Sequence, residues 1–588
     1  MSWFPTENIC GKLELSLGRL SPKRGHAIVG MLELETTTFE IAMAAPAKKT
    51  PVEAPADSKS SQTVIAENVS NELIFGIVGH VGSGNTEIAM TLKDLLEGQA
   101  TNGQKFSVAV IKARLVIEEC MNQLGKPISV TPDKKLLADI EKYQNAGDEL
   151  REKDHAAVAR GAVAFIRRER AKMQGGVPEP EKPVIPDGKP RAFIIDSIRH
   201  PAEAGLLRRI YGDAFVLIGV VCEQEERLHR ISDKYQDAGT VAAEQFMKRD
   251  SKAPEKHGQR VSDAFHLSDF FVDNTQKRIL KDQKPNPEWE VSQDLERLIR
   301  LVTHAAVARP TTAETAMHAA AGAAMRSACL SRQVGAALID SEGNLISTGT
   351  NEAPQAGGGV YGSGFGGDVE DHRCVSANGY CSNTKSQNQI AEALLDEILI
   401  GDPRLKNQDA RTGMLKRIRE GRVGDLLEFS RAVHAEMDAL LSAGRKGTST
   451  MGTSLFVTTF PCHYCARHIV SAGVDQVQFI EPYPKSQALT LHKDSIQFEV
   501  GTDGWKPPSE LKLIKKVDDK AQKLRVLFRP FTGVAPRMYR RAFEKDRELK
   551  NHLTGVMQVH EPPWGAPYDL STKSYAELEA ALTKDVAI

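Results

Sequence analysis

The sequence predicts an α/β protein with a parallel sheet that is covered by helices on both faces. Four continuously apolar segments, at 73–79, 105–111, 191–196 and 214–221, have the length and composition of buried strands. Segments with helical periodicity lie between them, including 87–96, 151–172 and 202–211. Buried strands that alternate with helices in this way form parallel sheets.

The second half of the chain predicts another layer of strands and helices. A helix is expected at 311–328, followed by a hairpin of strands at 335–340 and 345–349 with a tight turn at 341–344. A helix at 431–443, a strand at 454–459, a helix at 462–472 and a strand at 476–480 complete the pattern. An insertion at 354–428 begins with a glycine-rich stretch and contains a predicted helix near 388–400.

These patterns predict four regions along the chain. We expect a linker without regular structure at 1–70, where 44–61 is rich in Ala, Pro, Ser and Lys. The first α/β domain spans 71–300, the second spans 301–545, and a polar tail at 546–588 carries no predicted chemistry. Met43 directly precedes the linker, so we expect residues 1–42 to be an upstream extension of the reading frame and Met43 to be the natural start, with Met1 as the alternative.

Composition excludes several classes of protein. The 588 residues carry a net charge of −1, so the chain lacks the broad basic field of proteins that bind long nucleic acids. No apolar run approaches the ~20 residues of a membrane helix, and the first residues do not predict a secretory signal. The eight cysteines are sparse, which predicts a reducing, cytoplasmic setting rather than a disulfide framework.

The strongest chemical pattern combines His434 with Cys462 and Cys465. One imidazole and two thiolates supply three zinc ligands and leave the fourth tetrahedral position for water. Pro461 is typical of a helix start, and a helix N-terminus favours a thiolate. The sequence therefore predicts a zinc site.

Glu436 lies two residues after His434, so we expect its carboxyl group to face the bound water rather than the metal. Zinc lowers the pKa of bound water from about 9 to about 7, and a nearby carboxylate can then move protons. His-x-Glu followed by Pro-Cys-x-x-Cys is the signature of zinc nucleobase deaminases. A closed structural zinc site, with His463 or His468 as the fourth ligand, and a redox-active cysteine pair are the alternatives.

The residues around both motifs resemble the deoxycytidylate deaminase family. The similarity lies in the segments 434–441 and 461–474 and in the first hairpin, at 334–340 and 348–354. It implies a cytidine-deaminase-like α/β/α fold and a deoxycytidine nucleotide substrate. Asn351 matches the asparagine that contacts the substrate sugar in that family, although a turn residue before Pro354 is an equally good interpretation. The insertion departs from the compact form of the family.

The insertion also holds His372, Cys374 and Cys381. Their irregular spacing favours unrelated loop residues over a second zinc site.

A glycine loop follows the first predicted strand and opens a helix, as a phosphate-binding loop does. Its candidate nucleotide-binding residues are Gly79, Gly82, Ser83, Gly84, Asn85 and Thr86. Thr86 stands where a hydroxyl would bind Mg²⁺, but Asn85 replaces the lysine that phosphoryl transfer needs. Nucleotide sensing without transfer, an active kinase and a degenerate structural domain are the three interpretations.

Further segments of the first domain resemble P-loop nucleotide kinases, namely 196–201, Arg249-Asp250 and 268–274. A P-loop kinase-like domain fused to a deoxycytidylate-deaminase-like domain resembles the bacterial anti-phage dCTP deaminases, and 525–539 extends the similarity over 71–540. The resemblance implies deamination of dCTP or dCMP, control by the first domain, a role in anti-phage defence and a homo-oligomer. Lys485, Arg525 and Arg529 are candidate cations for the substrate phosphates, and solvated surface charge is the alternative.

The sequence is also compatible with two other functions. The chain could deaminate bases in RNA or DNA, against which its neutral charge counts. It could also be a non-catalytic nucleotide-sensing protein with structural zinc, against which Glu436 counts.

Overall fold

The computed structural model describes a large part of the chain from residue 68 onward. The described residues are 68, 70–98, 100–101, 104–132, 134–253, 255, 257–280, 282–305, 307–362, 370–398, 400, 407–483, 485–499, 505–513, 524–545, 549–557 and 574–583. The chain divides into Met1–Ser58 and Lys59–Ile588, and everything below concerns the second unit. The predictions for Met43 and for nearly all of the linker at 1–70 lie outside the described residues.

Helices and strands alternate through most of the described chain. In chain order, the α-helices are α1 (Asn85–Gly98), α2 (Ala113–Gln123), α3 (Leu137–Lys153), α4 (Ala157–Met173), α5 (Pro201–Tyr211), α6 (Gln224–Lys234), α7 (Thr240–Ser251), α8 (Val261–Phe265), α9 (Val291–Val302), α10 (Thr312–Ala324), α11 (Ser382–Ile398), α12 (Gln408–Glu420), α13 (Ala435–Arg445), α14 (His463–Ser471), α15 (Ala488–Leu491), α16 (Pro508–Leu513), α17 (Tyr539–Phe543) and α18 (Tyr575–Leu582). The strands are β1 (Glu72–Val78), β2 (Ala100–Thr101), β3 (Gln104–Lys105), β4 (Ser107–Lys112), β5 (Arg191–Asp196), β6 (Phe215–Val221), β7 (Phe270–Asp273), β8 (Gly335–Ile339), β9 (Leu345–Thr350), β10 (Ser454–Thr459), β11 (Gln476–Glu481), β12 (Ile496–Phe498), β13 (Val526–Pro530) and β14 (Gly533–Val534). Short 3₁₀ segments lie at Gly212–Ala214 and Arg422–Asp425, and a π-helical turn at Cys374–Asn378.

The first six-stranded sheet has the order β14-β7-β6-β1-β5-β4. All of its pairs are parallel except β14 with β7. Every residue of β1 and β6 is buried, as continuously apolar strands in the middle of a helix-covered sheet should be. The predicted parallel α/β arrangement is therefore present, and the carboxyl end of β1 leads directly into the glycine loop.

The second six-stranded sheet has the order β12-β13-β11-β10-β8-β9. The hairpin β8–β9 is antiparallel and joins β10 in antiparallel pairing, whereas β10, β11, β13 and β12 pair in parallel. Helices α13 and α14 pack on this sheet through buried residues such as Ala439, Cys465 and Ile469. This packing holds the starts of both helices beside the ends of β9 and β10.

Two predicted helices differ in their bounds. The helix predicted at 151–172 is interrupted at 154–156, where Asp154 is extended and its carboxylate accepts a hydrogen bond from the N–H of Ala156 at 2.9 Å. The helix predicted to begin at 431 begins at Ala435, because Val433 forms a β-bridge with Glu352. That bridge keeps the backbone extended up to His434.

The C-terminal helix α18 is docked on the first sheet by buried charges. Glu579 binds the guanidinium of Arg170, which also binds Glu72 on β1 at 2.8 Å, and all three side chains are fully buried. The hydroxyl of Tyr211 donates to Glu579, and that of Tyr575 donates to Glu72, both at 2.7 Å. This contact was not predicted, since only a polar tail without assigned chemistry was expected in this region.

None of the described helices combines the length and the apolar character that crossing a bilayer requires.

Candidate active site and metal centre

The three predicted zinc ligands are brought together by two helix starts. His434 is the last extended residue before α13, and Cys462 holds the same position before α14. Cys465 follows one turn later and is buried. Since residues at i and i+3 of a helix start face the same side, both thiols can reach one point.

The ligand atoms have the separations of a metal site. The Nδ1 atom of His434 lies 3.3 Å from the Sγ of Cys462 and 3.4 Å from the Sγ of Cys465. A tetrahedral zinc ion with ordinary bond lengths places nitrogen and sulfur ligands roughly 3.6 Å apart. The three residues therefore fit zinc.

No fourth ligand joins this group within the described part of the chain. Across those residues, the only cluster of His, Cys, Asp or Glu atoms with metal-site spacing is formed by His434, Cys462 and Cys465. His468, an alternative ligand of the closed site, has its Nδ1 atom 2.6 Å from the carbonyl oxygen of Tyr464. The donor set matches an open three-ligand site better than a closed structural one.

Glu436 lies beside the cluster without belonging to it. It is in the first turn of α13 and only 4% exposed. Burial, together with the nearby Cys462 thiolate, raises the pKa of Glu436 to about 7. A carboxyl group with such a pKa can both accept and donate a proton near neutral pH.

Cys462 is polarised toward the thiolate form. Hydrogen bonds from Cys465 and from His434 lower the pKa of Cys462 to about 4, against the opposing effect of burial. The thiolate is the form that binds a metal.

A cavity of about 220 Å³ opens onto the cluster. His434, Glu436 and Cys462 line it together with the aromatic rings of Phe460 and Tyr483. The remaining lining residues are Cys329, Ser331, Arg332, Val334, Asn351, Asn383, Leu427, Ser430, Ala432, Ala435 and Thr459. A small cavity with aromatic walls and a few polar groups is typical of a site for a planar ring.

One wall of this cavity comes from the end of β10 and another from the insertion. Asn383, on α11 of the insertion, donates to the carbonyl oxygen of Leu426 at 2.9 Å and accepts from the N–H of Phe429 at 3.3 Å. These bonds hold α11 against the segment that leads to His434. The insertion is thus part of the site rather than a distant loop.

Asn351 lines the same cavity, but its amide group is already used. Its Nδ2 donates to the carbonyl oxygen of Arg332 at 2.7 Å, and its Oδ1 accepts from the N–H of Val334 at 2.8 Å. The side chain therefore fixes the turn before β8. Its position also suits a contact with a ligand, so both interpretations of Asn351 stay open.

The cation that lines the cavity is Arg332, which sequence reasoning missed. Its guanidinium lies 3.0 Å from Glu481 and packs 5.2 Å from the ring centre of Tyr483. Among the described residues, the cavity is not lined by the three cations singled out from the sequence, which are Lys485, Arg525 and Arg529. No signal in the sequence around Arg332 could have identified it, because its place in the lining depends on the long-range approach of Glu481.

Lys485 and Arg529 have other surroundings. Lys485 pairs with Asp425 of the insertion at 2.9 Å. Burial lowers the pKa of Arg529, and the charge of Asp273 on the first sheet acts in the opposite direction. Lys485, whose side chain is 51% exposed, agrees with the interpretation as surface charge.

The three candidate residues in the insertion do not converge. His372 lies 3.4 Å from Glu370, the Sγ of Cys374 lies 4.0 Å from Arg431, and that of Cys381 lies 3.3 Å from the hydroxyl of Ser331. They are not among the metal-spaced clusters of the described residues. This agrees with the interpretation as unrelated loop residues.

The glycine loop joins β1 to α1 as predicted. Gly82 and Gly84 have φ angles of +86° and +85°, and a Cβ at Gly84 would lie 2.2 Å from the Nδ2 of Asn274. Glycine is therefore required there. Asn274, directly after β7, also donates to the carbonyl oxygen of Ser83 at 2.9 Å.

The side chains of the loop are tied to the surrounding sheet. Thr86 donates to Asp196 at the end of β5 at 2.7 Å. Asp250 accepts from the N–H of Val81 at 2.7 Å and from Arg199 at 2.8 Å. The segments that resemble nucleotide kinases thus contact the loop directly.

Asn85 occupies the position where a phosphate-binding loop carries lysine. Its Nδ2 donates to the carbonyl oxygen of Gly79, and its Oδ1 accepts from the hydroxyl of Ser83, both at 3.0 Å. The side chain folds back onto the loop and supplies no charge.

Comparison with known proteins identifies one part of the chain. Residues 310–481 match the family model described as cytidine and deoxycytidylate deaminase zinc-binding region. The deoxycytidylate deaminase of Enterobacteria phage T2 is 28% identical over 177 residues, which are 30% of this chain and 82% of that protein. The deoxycytidylate deaminase of Enterobacteria phage T4 is 28% identical over 176 residues, which are 30% of this chain and 80% of that protein.

A third relative and a solved structure are also similar. The UPF0200/UPF0201 protein of Archaeoglobus fulgidus is 28% identical over 166 residues, which are 27% of this chain and 45% of that protein. The crystal structure of the dCMP deaminase from cyanophage S-TIM5 in apo form covers 31% of this chain and 94% of its own, at 20% identity and a TM-score of 0.18. Together, the family model and the phage relatives support a C-terminal deaminase domain of the cytidine and deoxycytidylate type.

Proposed function

We propose that this protein is a zinc-dependent enzyme that hydrolyses a free deoxycytidine nucleotide, dCTP or dCMP, to the deoxyuridine nucleotide. The observation that carries the proposal is the pairing of an open His434–Cys462–Cys465 site with a buried carboxyl group, Glu436, in one small cavity. A structural zinc site has no use for such a carboxyl group.

Bound between His434, Cys462 and Cys465, zinc would supply Lewis-acid activation of water at neutral pH. Deamination replaces the amino group at C4 of cytosine with an oxygen atom from water and releases ammonia. The two protons of the water must therefore move, one to the ring nitrogen and one to the leaving amine.

Glu436 is the group in the cavity that can carry these protons. Its buried carboxylate accepts one proton from the attacking water and donates it to the ring nitrogen, then accepts the second proton from the new hydroxyl group at C4 and donates it to the leaving amine. Burial raises the pKa of this carboxyl group above that of an exposed glutamate, so it holds a proton more readily.

The cavity supports a free nucleotide as the substrate. Phe460 and Tyr483 offer faces against which a pyrimidine can stack, and Arg332 supplies a cation beside them for a phosphate. A polymer substrate would call for a wider basic surface, which a net charge of −1 does not provide.

The remaining parts of the proposal rest on resemblance. We propose that the glycine loop binds a regulatory nucleotide, with or without Mg²⁺, that the chain forms a homo-oligomer in the cytoplasm, and that it depletes dCTP in anti-phage defence. The replacement of lysine by Asn85 supports regulation rather than phosphoryl transfer.

The proposal is tested by incubating the purified full chain with dCTP, dCMP, CTP and cytosine-containing oligonucleotides. Ammonia release and uracil products are followed by mass spectrometry. We expect uracil to form from dCTP or dCMP, and we expect Glu436→Gln to lower the rate by about 10²–10⁴-fold, the range typical of a lost proton-transfer group. Zinc content should stay unchanged.

Glu420→Gln, an exposed and chemically identical change at the end of α12, is the matched control and should leave the rate unchanged. Products from oligonucleotides alone would replace the proposed substrate class with a nucleic acid. Full zinc occupancy without any deamination would favour the non-catalytic sensor.

A further inference from the structure

A second cavity, of about 460 Å³, lies next to the glycine loop at the carboxyl edge of the first sheet. Ligands of open α/β sheets bind at this edge. The volume lies within the range of about 300–1,000 Å³ that small-molecule sites have. Its lining runs from the loop to α3 and the segment before α8, so it can hold a molecule much longer than a phosphate group.

One end of this cavity, the phosphate end, suits an anion. The loop and the first N–H groups of α1 face it, and a helix start leaves such groups without partners inside the helix. Lys112, Arg114 and Lys234 also line the cavity, and they take part in no ion pair with the residues that the structure describes. Asp196 and Asp250 are the acidic groups here, and each is already bonded, to Thr86 and to Arg199.

Another part of the lining, which we call the base end, carries an amide with an unused acceptor. Gln144 on α3 is 4% exposed, and its Nε2 donates to the Oε1 of Gln259 at 3.0 Å. Its own Oε1 is buried and has no hydrogen-bond partner among the described residues. A buried acceptor without a donor is unfavourable, so a donor that a ligand brought to this atom would stabilise it.

An aromatic ring lines the same cavity as this amide. Tyr143 precedes Gln144 and lines the cavity, and the guanidinium of Arg114 lies 5.6 Å from its ring centre. A flat surface next to a hydrogen-bonding amide is how proteins select a nucleobase, because stacking holds the ring and the amide reads its edge.

We propose that this cavity binds a nucleotide whose base carries an exocyclic amino group, with the phosphates at the phosphate end and the amino group donating to the Oε1 of Gln144. Cytosine, adenine and guanine share that amino group, whereas uracil and hypoxanthine lack it. The inference rests on the nucleotide-binding role proposed above for the glycine loop and adds the residue that selects the base.

The test uses pairs of nucleotides that differ in the amino group. Binding to the full chain is measured by calorimetry for ATP and purine riboside triphosphate, for GTP and inosine triphosphate, and for CTP and UTP. The last pair is measured on Glu436→Gln so that CTP is not consumed. Inorganic tripolyphosphate probes the phosphate end alone.

In at least one pair, the member with the amino group should bind roughly three- to tenfold more tightly, the effect of one hydrogen bond. Gln144→Met, which keeps the volume, should abolish this difference and leave the binding of tripolyphosphate unchanged. Gln123→Met, at an exposed position on α2, is the matched control and should change neither. Melting temperature and zinc content report whether each variant is folded.

Equal affinities for the two members of all three pairs would overturn the inference. It would also be overturned if Gln144→Met weakened the binding of every ligand equally, tripolyphosphate included. The comparison between the two members of each pair does not use Gln144→Met, so it applies even if that variant fails to fold. A preference for CTP that survives Gln144→Met belongs to the zinc cavity and also overturns the inference. Each of these results leaves the deaminase proposal standing, because that proposal is judged by uracil formation.

Discussion

The docking of α18 predicts a local instability when its buried charge is removed. We consider Glu579→Ala. Glu579 accepts hydrogen bonds from Arg170, at 3.0 Å for one of them, and from the hydroxyl of Tyr211 at 2.7 Å. Removing the carboxylate leaves Arg170 with Glu72 as its remaining carboxylate partner and leaves Tyr211 without this acceptor.

The size of the effect follows from two limits. Breaking a buried ion pair on one side costs about 3–5 kcal/mol when the structure cannot relax. Here α18 can leave the sheet. The stability lost in Glu579→Ala therefore cannot exceed the free energy with which the helix docks on the sheet. Tyr575 and Ala576 are almost fully buried at that contact, and burying one aromatic side chain contributes about 2–3 kcal/mol. We therefore expect α18 to undock, at a cost of about 3 kcal/mol.

Hydrogen exchange followed by mass spectrometry measures this directly. A loss of about 3 kcal/mol corresponds to roughly 100-fold faster exchange of the amides in α18, whereas the central strands β1 and β6 should be unchanged. Glu577→Ala, at an exposed position of the same helix, is the control and should leave exchange as in the wild type. Wild-type protection of α18 in Glu579→Ala would refute the reasoning.

Other changes have expected outcomes of their own. Burial, together with two nearby arginines, lowers the pKa of His80 to about 3, so the folded state keeps it neutral while the unfolded chain protonates it below about 6.5. The contribution of neutral His80 to the free energy of unfolding should be complete above pH 6.5 and about 2 kcal/mol smaller at pH 5. Between pH 5 and pH 7.5, the melting temperature should therefore change less for His80→Gln than for the wild type. Gly84→Ala should lower the melting temperature because its φ is +85° and a Cβ would strike a neighbouring amide, whereas Gly98→Ala, with open space around it, should not. Cys465→Ala should lower the zinc content found by elemental analysis, and Cys381→Ala should not.

The candidate metal ligands could be identified from the sequence because their spacing is local. His434, Cys462 and Cys465 each lie at or just after a helix start, and the geometry of the first helical turn places the side chains of each helix on one side. Only the approach of α13 to α14 depends on contacts between distant parts of the sequence. The alternation of apolar and helical segments likewise predicted the two sheets, because a buried parallel strand leaves a continuous apolar run.

Long-range polar contacts could not be predicted in the same way. Nothing in the pattern around Arg332 distinguishes an arginine that lines a cavity from one on the surface, since that depends on β11 bringing Glu481 to it. The same holds for Glu579. A charged residue in a short helix is normally solvated, whereas this one is buried and bonded to Arg170 and Tyr211. The bounds of the helix at 151–172 were wrong for a different reason, a single aspartate that bonds its own backbone.

A cut near residue 300 would separate groups that the fold joins. Strand β14 pairs with β7, and its Val534 N–H donates to Glu314 of α10 at 2.8 Å, while Arg297 of α9 binds the same carboxylate. Strand β13 ends only three residues before β14, so one short segment belongs to both sheets. A fragment that ended at 300 would leave β7 as an unpaired edge and Arg170 without Glu579. The contacts of the glycine loop, through Asn274 at the end of β7, thus depend on residues beyond 500, and the ligand of the first sheet is best sought with the complete chain.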